Sequence, residues 1–93
     1  MDPRLRLILD PPRDAAENMA RDEALLDGDG AVIRRTAWRR PAATLGRFQR
    51  HSELPSEGVL LPAIRRITGG GTILHGADCT LAIAAPAPSR LFP

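Results

Sequence analysis

Arg65-Arg66-Ile67-Thr68-Gly69-Gly70-Gly71-Thr72-Ile73-Leu74-His75 holds the densest information in the chain. The apolar run Val59 to Ile67 leads into three glycines, and Thr72-Ile73-Leu74 leads out of them. A second turn, His75-Gly76-Ala77-Asp78, precedes a last apolar run, Cys79 to Ala85. The order is strand, glycine turn, strand, turn, strand. Three successive glycines lose much conformational freedom on folding, and such a stretch suits a backbone that turns sharply or meets another group closely. Two readings stay open: a flexible connection, or a concave set of backbone amides that receives an anion. Arg66 offers a fork of donors suited to carboxylate or phosphate. Thr68 adds a hydroxyl, and His75 a donor or acceptor. The spacing is not that of a P-loop, and no helix follows as a dinucleotide fingerprint requires.

Upstream, Leu5 to Leu9 reads as a short strand, broken by Asp10-Pro11-Pro12-Arg13 because proline lacks an amide hydrogen and restricts its neighbour. Asp14 is expected to cap a helix running to Leu26, with Glu17 completing a capping box. Met19 and Leu26 lie two turns apart on one stripe. Glu23, between them, is read as a partly exposed or arginine-paired structural acid. Gly28 and Gly30 are expected to stop the helix through the left-handed conformation glycine accepts. Ala31 to Trp38 reads as a second strand, Arg39-Arg40-Pro41 as a turn, and Ala43 to Gly46 as a third strand, making residues 31–47 a hairpin. Arg47 to Gly58 reads as a surface loop with one helical turn. Residues 85–93, with three prolines, are expected to be unstructured. The fold class is therefore α/β (α+β): one N-terminal helix on a small mixed sheet of four or five strands. A chain this short buries roughly 60–65% of its unfolded surface, so the core is modest.

All thirteen cationic residues are arginine, as an arginine-biased genome would produce. A mechanism needing a lysine amine is closed to these residues. Net charge is +2 and the sequence pI about 9.9, weak grounds for a polyanionic partner. The arginines fall in pairs, Arg34-Arg35, Arg39-Arg40 and Arg65-Arg66, each read as one residue with a buried stem beside one solvated. Only three aromatic residues accompany them, so an arginine-rich nucleic-acid-binding module has little support, and no nucleic acid is expected as partner. Cys79 stands alone, cannot form an internal disulfide, and reads as a plain strand residue in a reducing, cytoplasmic setting. No secretory h-region and no run of ~20 apolar residues is present, so no membrane association is expected. No metal site is expected.

Three ordered segments resemble one family. Arg65-Arg66-x-Thr68-Gly69-Gly70-Gly71-x-Ile73-x-His75 resembles the glycine-loop motif of the lipoate-protein ligase and lipoyl octanoyltransferase family. Asn18-Met19-Ala20-x-Asp22-Glu23-Ala24-Leu25-Leu26 is similar to its first helix. Trp38 through Pro41 to Thr44-Leu45-Gly46-Arg47-x-Gln49 is similar to its tryptophan-to-GRxQ segment. A fourth segment, Asp78-Cys79-Thr80-Leu81, resembles an acidic-Leu-Thr-Tyr strand, with Cys79 and Leu81 departing from it. Gly76 stands where many members have aspartate. The resemblance covers residues 14–84.

The resemblance implies part of a mixed α/β domain shared with biotin ligases, whose members move lipoate or a medium-chain acyl group to a lysine of a lipoyl carrier domain. The ligase branch uses ATP and Mg with lipoate or octanoate. The octanoyltransferases use a carrier-bound thioester, one branch passing it through a cysteine. It further implies that Arg66, Thr68, Gly69, Gly70, Gly71 and His75 form the wall of the acyl or acyl-adenylate pocket, with Trp38 and Gln49 nearby. The family's catalytic lysine and transfer cysteine lie further downstream than these residues, so no catalytic residue is assigned and Cys79 is not given the transfer role. The expectation is an N-terminal part of such a domain, residues 1–93, not catalytic alone. The alternative is half of a split enzyme completed by a second polypeptide.

Overall fold

The computed structural model describes residues 5–28, 30–55 and 61–85. Alternating and apolar runs become strands: β1 (Leu5–Leu9), β2 (Ala31–Ala37), β3 (Ala42–Leu45), β4 (Ala63–Arg65), β5 (Ile73–His75) and β6 (Cys79–Ala84). One α-helix, α1 (Ala15–Ala24), continues as a 3-10 turn through Asp27. The α+β class expected from the sequence holds.

The single sheet does not. The described strands form two three-stranded sheets, ordered β1-β2-β6 and β4-β3-β5. In the first, β1 runs parallel to β2, pairing Leu7 with Ile33, while β6 runs antiparallel, pairing Ile33 with Ile83. In the second, β4 is parallel and β5 antiparallel to β3. The expected 31–47 hairpin is therefore replaced by a crossing between sheets. Both edges of β2 are occupied by β1 and β6, so β3 has no ladder position beside it, and Arg39-Arg40-Pro41 carries the chain away. The lead-in strand is confined to Ala63–Arg65, with residues 59–60 outside the described part. The expected unstructured tail lies almost wholly in residues 86–93, also outside it.

Two helix-end expectations are corrected. Asp14 is the N-cap residue, but its side chain makes no capping bond. Its carboxylate faces Arg40 at 3.2 Å and Arg39 at 3.6 Å. Glu17 turns to Arg13 at 2.7 Å and Arg21 at 3.4 Å rather than closing a box. Charge partners on neighbouring segments outcompete the local amides. Gly28 ends the 3-10 turn in an extended conformation with φ −81°, so no left-handed stop is used there. Glu23 is exposed, and the arginine-paired acid of the helix is its neighbour Asp22.

The apolar core is small. Ala15, Trp38 and Ala42 pack together with Met19 and Ile64 against them, joining α1 to the β3–β4 sheet. The other side of α1 is held to β2 by charge. Arg34 is 1% exposed. Its Nε donates to Asp10 Oδ2 at 2.6 Å, and its Nη1 to Asp22 Oδ1 at 2.7 Å, to the Asn18 carbonyl at 3.1 Å and to Thr36 Oγ1 at 2.9 Å. Its Nη2 reaches Asn18 Oδ1 at 3.0 Å. Asn18 returns its own amide to the carbonyls of Arg13 and Ala37. A buried guanidinium is tolerable only when its donors are satisfied, and here β1, α1 and β2 converge to do so. The Arg34 hydrogen bond is the main cause that holds the Asp10 carboxyl below the usual carboxylate range, against the opposing effect of burial.

The opposite face of the first sheet is apolar and open. Leu5, Leu7, Leu9, Leu81 and Ile83 are each about half exposed or more. Among the described residues no helix is long and apolar enough to cross a membrane.

Candidate functional site

The site begins where two loops touch. After β3 the backbone passes Gly46, and a Cβ built there would fall on the carbonyl of Gly70. Gly70 has φ +102°, a conformation that favours glycine. The contact is fixed by backbone bonds on either side: the Arg47 amide donates to the Thr68 carbonyl and the Arg66 amide to the Leu45 carbonyl, both at 2.8 Å.

The arginine pair straps both loops. Nη1 of Arg65 donates to the carbonyls of Gly46, Arg47 and Gln49. Arg66 serves the glycine loop: Nη2 donates to the carbonyls of Gly71 at 2.7 Å and Gly69 at 3.2 Å. Its Nη1 donates to the Thr44 carbonyl at 3.0 Å and to Thr44 Oγ1 at 2.7 Å. Burial lowers the Arg66 pKa from its ordinary value. The guanidinium fork thus faces the loop's own oxygens. In a trans peptide the following N–H points opposite the carbonyl, so the amides of Gly70 and Thr72 point away from Arg66. Among the described residues none accepts from the amides of Gly69, Gly70 or Gly71.

On the side of the loop that faces α1 and β6 lies a groove of about 580 Å³. Met19, Leu25 and Leu26 form one wall, β6 from Thr80 to Ala84 another, and residues 66–73 the third; on β6 it is Thr80, Ala82 and Ala84 that share the face of Arg34 turned to α1. The Met19–Leu26 stripe read in the sequence is therefore a groove wall, Leu26 being 65% exposed along it. The volume falls within the ~300–1,000 Å³ usual for small-molecule sites.

Of the residues the resemblance pointed to, Arg66, Thr68, Gly69, Gly70 and Gly71 line this groove. His75, Trp38 and Gln49 do not; they sit beneath the loop. His75 is 5% exposed, stacked on Trp38 with ring centroids 3.8 Å apart. Its Nε2 lies 3.0 Å from Thr44 Oγ1 and its Nδ1 2.8 Å from Asp78 Oδ2. Gln49 accepts from the Gly46 amide at 3.1 Å and donates to Thr72 Oγ1. Asp78 also accepts from the Gly76 amide at 2.7 Å. Burial, which pushes its carboxyl up, is outweighed by the bonds from His75 and Gly76, which hold it below the usual range. Thr44, Gly46 and Asp78 were absent from the expected site set. Thr44 and Gly46 stood inside the tryptophan-to-GRxQ segment, and that was the available signal. Cys79 is exposed and does not line the groove. Among the described residues no three His, Cys, Asp or Glu side chains cluster as a metal site.

The arginine-strapped glycine loop, at the motif the sequence singled out, thus borders an apolar groove. The chain is related to the lipoate-protein ligase and octanoyltransferase family. It is 42% identical over 77 residues to "Octanoyltransferase LipM" of Carboxydothermus hydrogenoformans, covering 73% of this chain and 29% of that protein. With the protein of the same name from Halalkalibacterium halodurans it shares 38% over 87 residues, covering 84% and 32%. With that of Exiguobacterium sp. strain AT1b it shares 33% over 87 residues, with the same coverage. The chain thus spans about a third of the length of these relatives. No family model matches it.

Proposed function

We propose that these residues form the acyl-binding wall of an octanoyltransferase that passes an octanoyl group from a thioester to a lysine of a lipoyl carrier domain. The observation that carries this reading is the groove between α1, the glycine loop and β6, apolar on two walls and lined by glycine backbone on the third. An alkyl chain can lie along Met19, Leu26, Ala82 and Ala84, while its carbonyl meets the glycine amides of the loop. The name of the relatives favours transfer over ATP-dependent ligation. No phosphate contact from Arg66 is required, because four of its N–H···O contacts go to Thr44, Gly69 and Gly71. The 93 residues contain no lysine, so their share of the reaction is to bind and orient the acyl group.

The test is binding of an octanoyl thioester to the 93-residue chain and to Gly70→Val, followed by calorimetry. Binding to the first and its loss in the second, with the circular dichroism spectrum unchanged, is the expected result. Equal affinity in the two would remove the glycine loop from the site. No binding to either would overturn the acyl-wall reading.

A further inference from the structure

The site holds a chain of polar contacts, buried at its middle, that the acyl-binding reading does not use. It runs from Asp78 through His75 and Thr44 to Arg66, and from there to the carbonyls of Gly69 and Gly71. Its proton order follows from the chemistry of its members. Arginine only donates, so Thr44 Oγ1 accepts from Arg66 Nη1 and its own hydroxyl proton is free for another acceptor. Nε2 of His75 lies 3.0 Å away. If Nε2 accepts that proton, neutral His75 must carry its hydrogen on Nδ1, and Asp78 Oδ2, 2.8 Å from Nδ1, is the acceptor placed to take it. Every proton then has a partner. Thr44 is fully buried and His75 nearly so, so an unmatched donor here is costly. With the opposite tautomer, Nε2–H and Arg66 would both donate to Thr44 Oγ1. The Thr44 hydroxyl proton would then point into a dry interior. Trp38, stacked on the ring, closes one face of His75. The charged groups facing this chain are Asp78 at one end and Arg66 at the other.

We infer that Asp78 is a positioning residue: it fixes the Nδ1–H tautomer of His75 and, through Thr44 and Arg66, the conformation of the glycine loop that walls the groove. The inference rests on the placement of that loop at the groove, as the acyl-binding reading does, but not on what the groove binds. Asp78→Asn supplies the discriminating change. The Gly76 amide donates to Oδ1 at 2.7 Å, which holds the amide oxygen of an asparagine on that side and turns its NH2 toward Nδ1. The histidine must then accept at Nδ1 and carry its hydrogen on Nε2, against Thr44.

The experiment uses the 15N-labelled 93-residue chain without any acyl ligand, so it can succeed or fail independently of octanoyl binding. Long-range proton–nitrogen correlation spectra read the ring nitrogens. His51, the other histidine, is exposed and serves as the reference. For His75 the expected result is a protonated Nδ1 and a bare Nε2. In Asp78→Asn the assignment should invert, and the amide signals of Gly69, Gly70 and Gly71 should shift while those of Leu7 and Ile33 stay in place. In a Thr44→Val background the same Asp78→Asn change should no longer move the glycine signals. A His75 ring that matches His51, glycine signals unmoved by Asp78→Asn, or signals moved equally in the Thr44→Val background would each overturn the inference. If Thr44→Val does not fold, the ring assignments of the wild-type chain and Asp78→Asn decide alone.

Discussion

Gly46 and Gly70 meet backbone against backbone, with no room for a methyl group between them. One residue ends the segment after β3, and the other is the centre of the glycine loop, twenty-four positions on. The loop is therefore seated against a fixed surface. Gly46→Ala should displace it and lower stability by about 1–3 kcal/mol through overpacking. Urea unfolding measures the loss, and octanoyl-thioester binding should fall with it. Unchanged stability would mean that the two loops can separate freely.

Gly70→Ala tests the loop's conformation rather than its seat. The added Cβ must adopt φ near +102° and lies 3.3 Å from Arg66 Nη2. A loss of about 1–3 kcal/mol is expected from the strained backbone. Gly69→Ala, with open space around its Cβ, should cost distinctly less. Equal costs would show that the positive φ does not set the requirement.

Arg34 is the residue whose loss should do most damage. Arg34→Leu leaves Asp10, Asp22 and Asn18 without their shared donor, and breaking a buried pair of this kind costs about 3–5 kcal/mol. Against a total stability of the order of 5–15 kcal/mol, that is a large share, and the thermal midpoint followed by far-UV circular dichroism should fall by far more than in any surface variant. Arg40→Ala removes an exposed partner of Asp14 and should change stability by less than about 1 kcal/mol.

Acid should destabilise the fold through Asp10. Its folded pKa lies below the ordinary value because Arg34 holds the charged form. The stability it contributes is fully present above the unfolded pKa of about 3.9 and is lost as pH falls through the lower folded value. Thermal midpoints should therefore drop steeply below about pH 4. In Asp10→Asn the midpoint should be lower at neutral pH and the acid slope shallower; an unchanged slope would exclude Asp10 as its source.

Arg66 makes the last prediction. Because its fork is tied to Thr44, Gly69 and Gly71, Arg66→Ala should weaken an octanoyl thioester and an octanoyl-adenylate by the same factor. Selective loss of the adenylate would show the side chain engaging phosphate instead. Titration calorimetry with both ligands distinguishes the two.

Local pattern located β1, β2, β3, β5 and β6 nearly to the residue, because alternation, β-branching and proline breaks act over a few positions. The division into two sheets was not legible. It depends on β6 reaching back to fill the free edge of β2, a contact across more than forty residues. The pair Arg34-Arg35 reads as one buried stem beside one solvated residue, but nothing local reveals that Arg34 is the buried one or that Asp10, Asn18 and Asp22 arrive together around it. The resemblance named the glycine loop, which lines the groove. It also carried in Trp38, Gln49 and His75 without their depth, and they lie beneath that loop. Thr44 and Asp78 stood inside segments that carry the resemblance but went unselected, because nothing local shows that a strand threonine and a turn aspartate meet the two ring nitrogens of His75.

The charged centre around Arg34 settles a question that apolar matching leaves open. Leu5–Leu9 alternates so evenly that β1 could slide by two residues along β2 and still present leucines to one face and Arg6 and Ile8 to the other. A slide of that length, about 7 Å at the spacing of a strand, would carry Asp10 away from the guanidinium at its end. Of the registers that hydrophobicity permits, only one closes the ion network. Arg34 therefore acts as a key for strand alignment, and the place of α1 above the groove is inherited from that one choice.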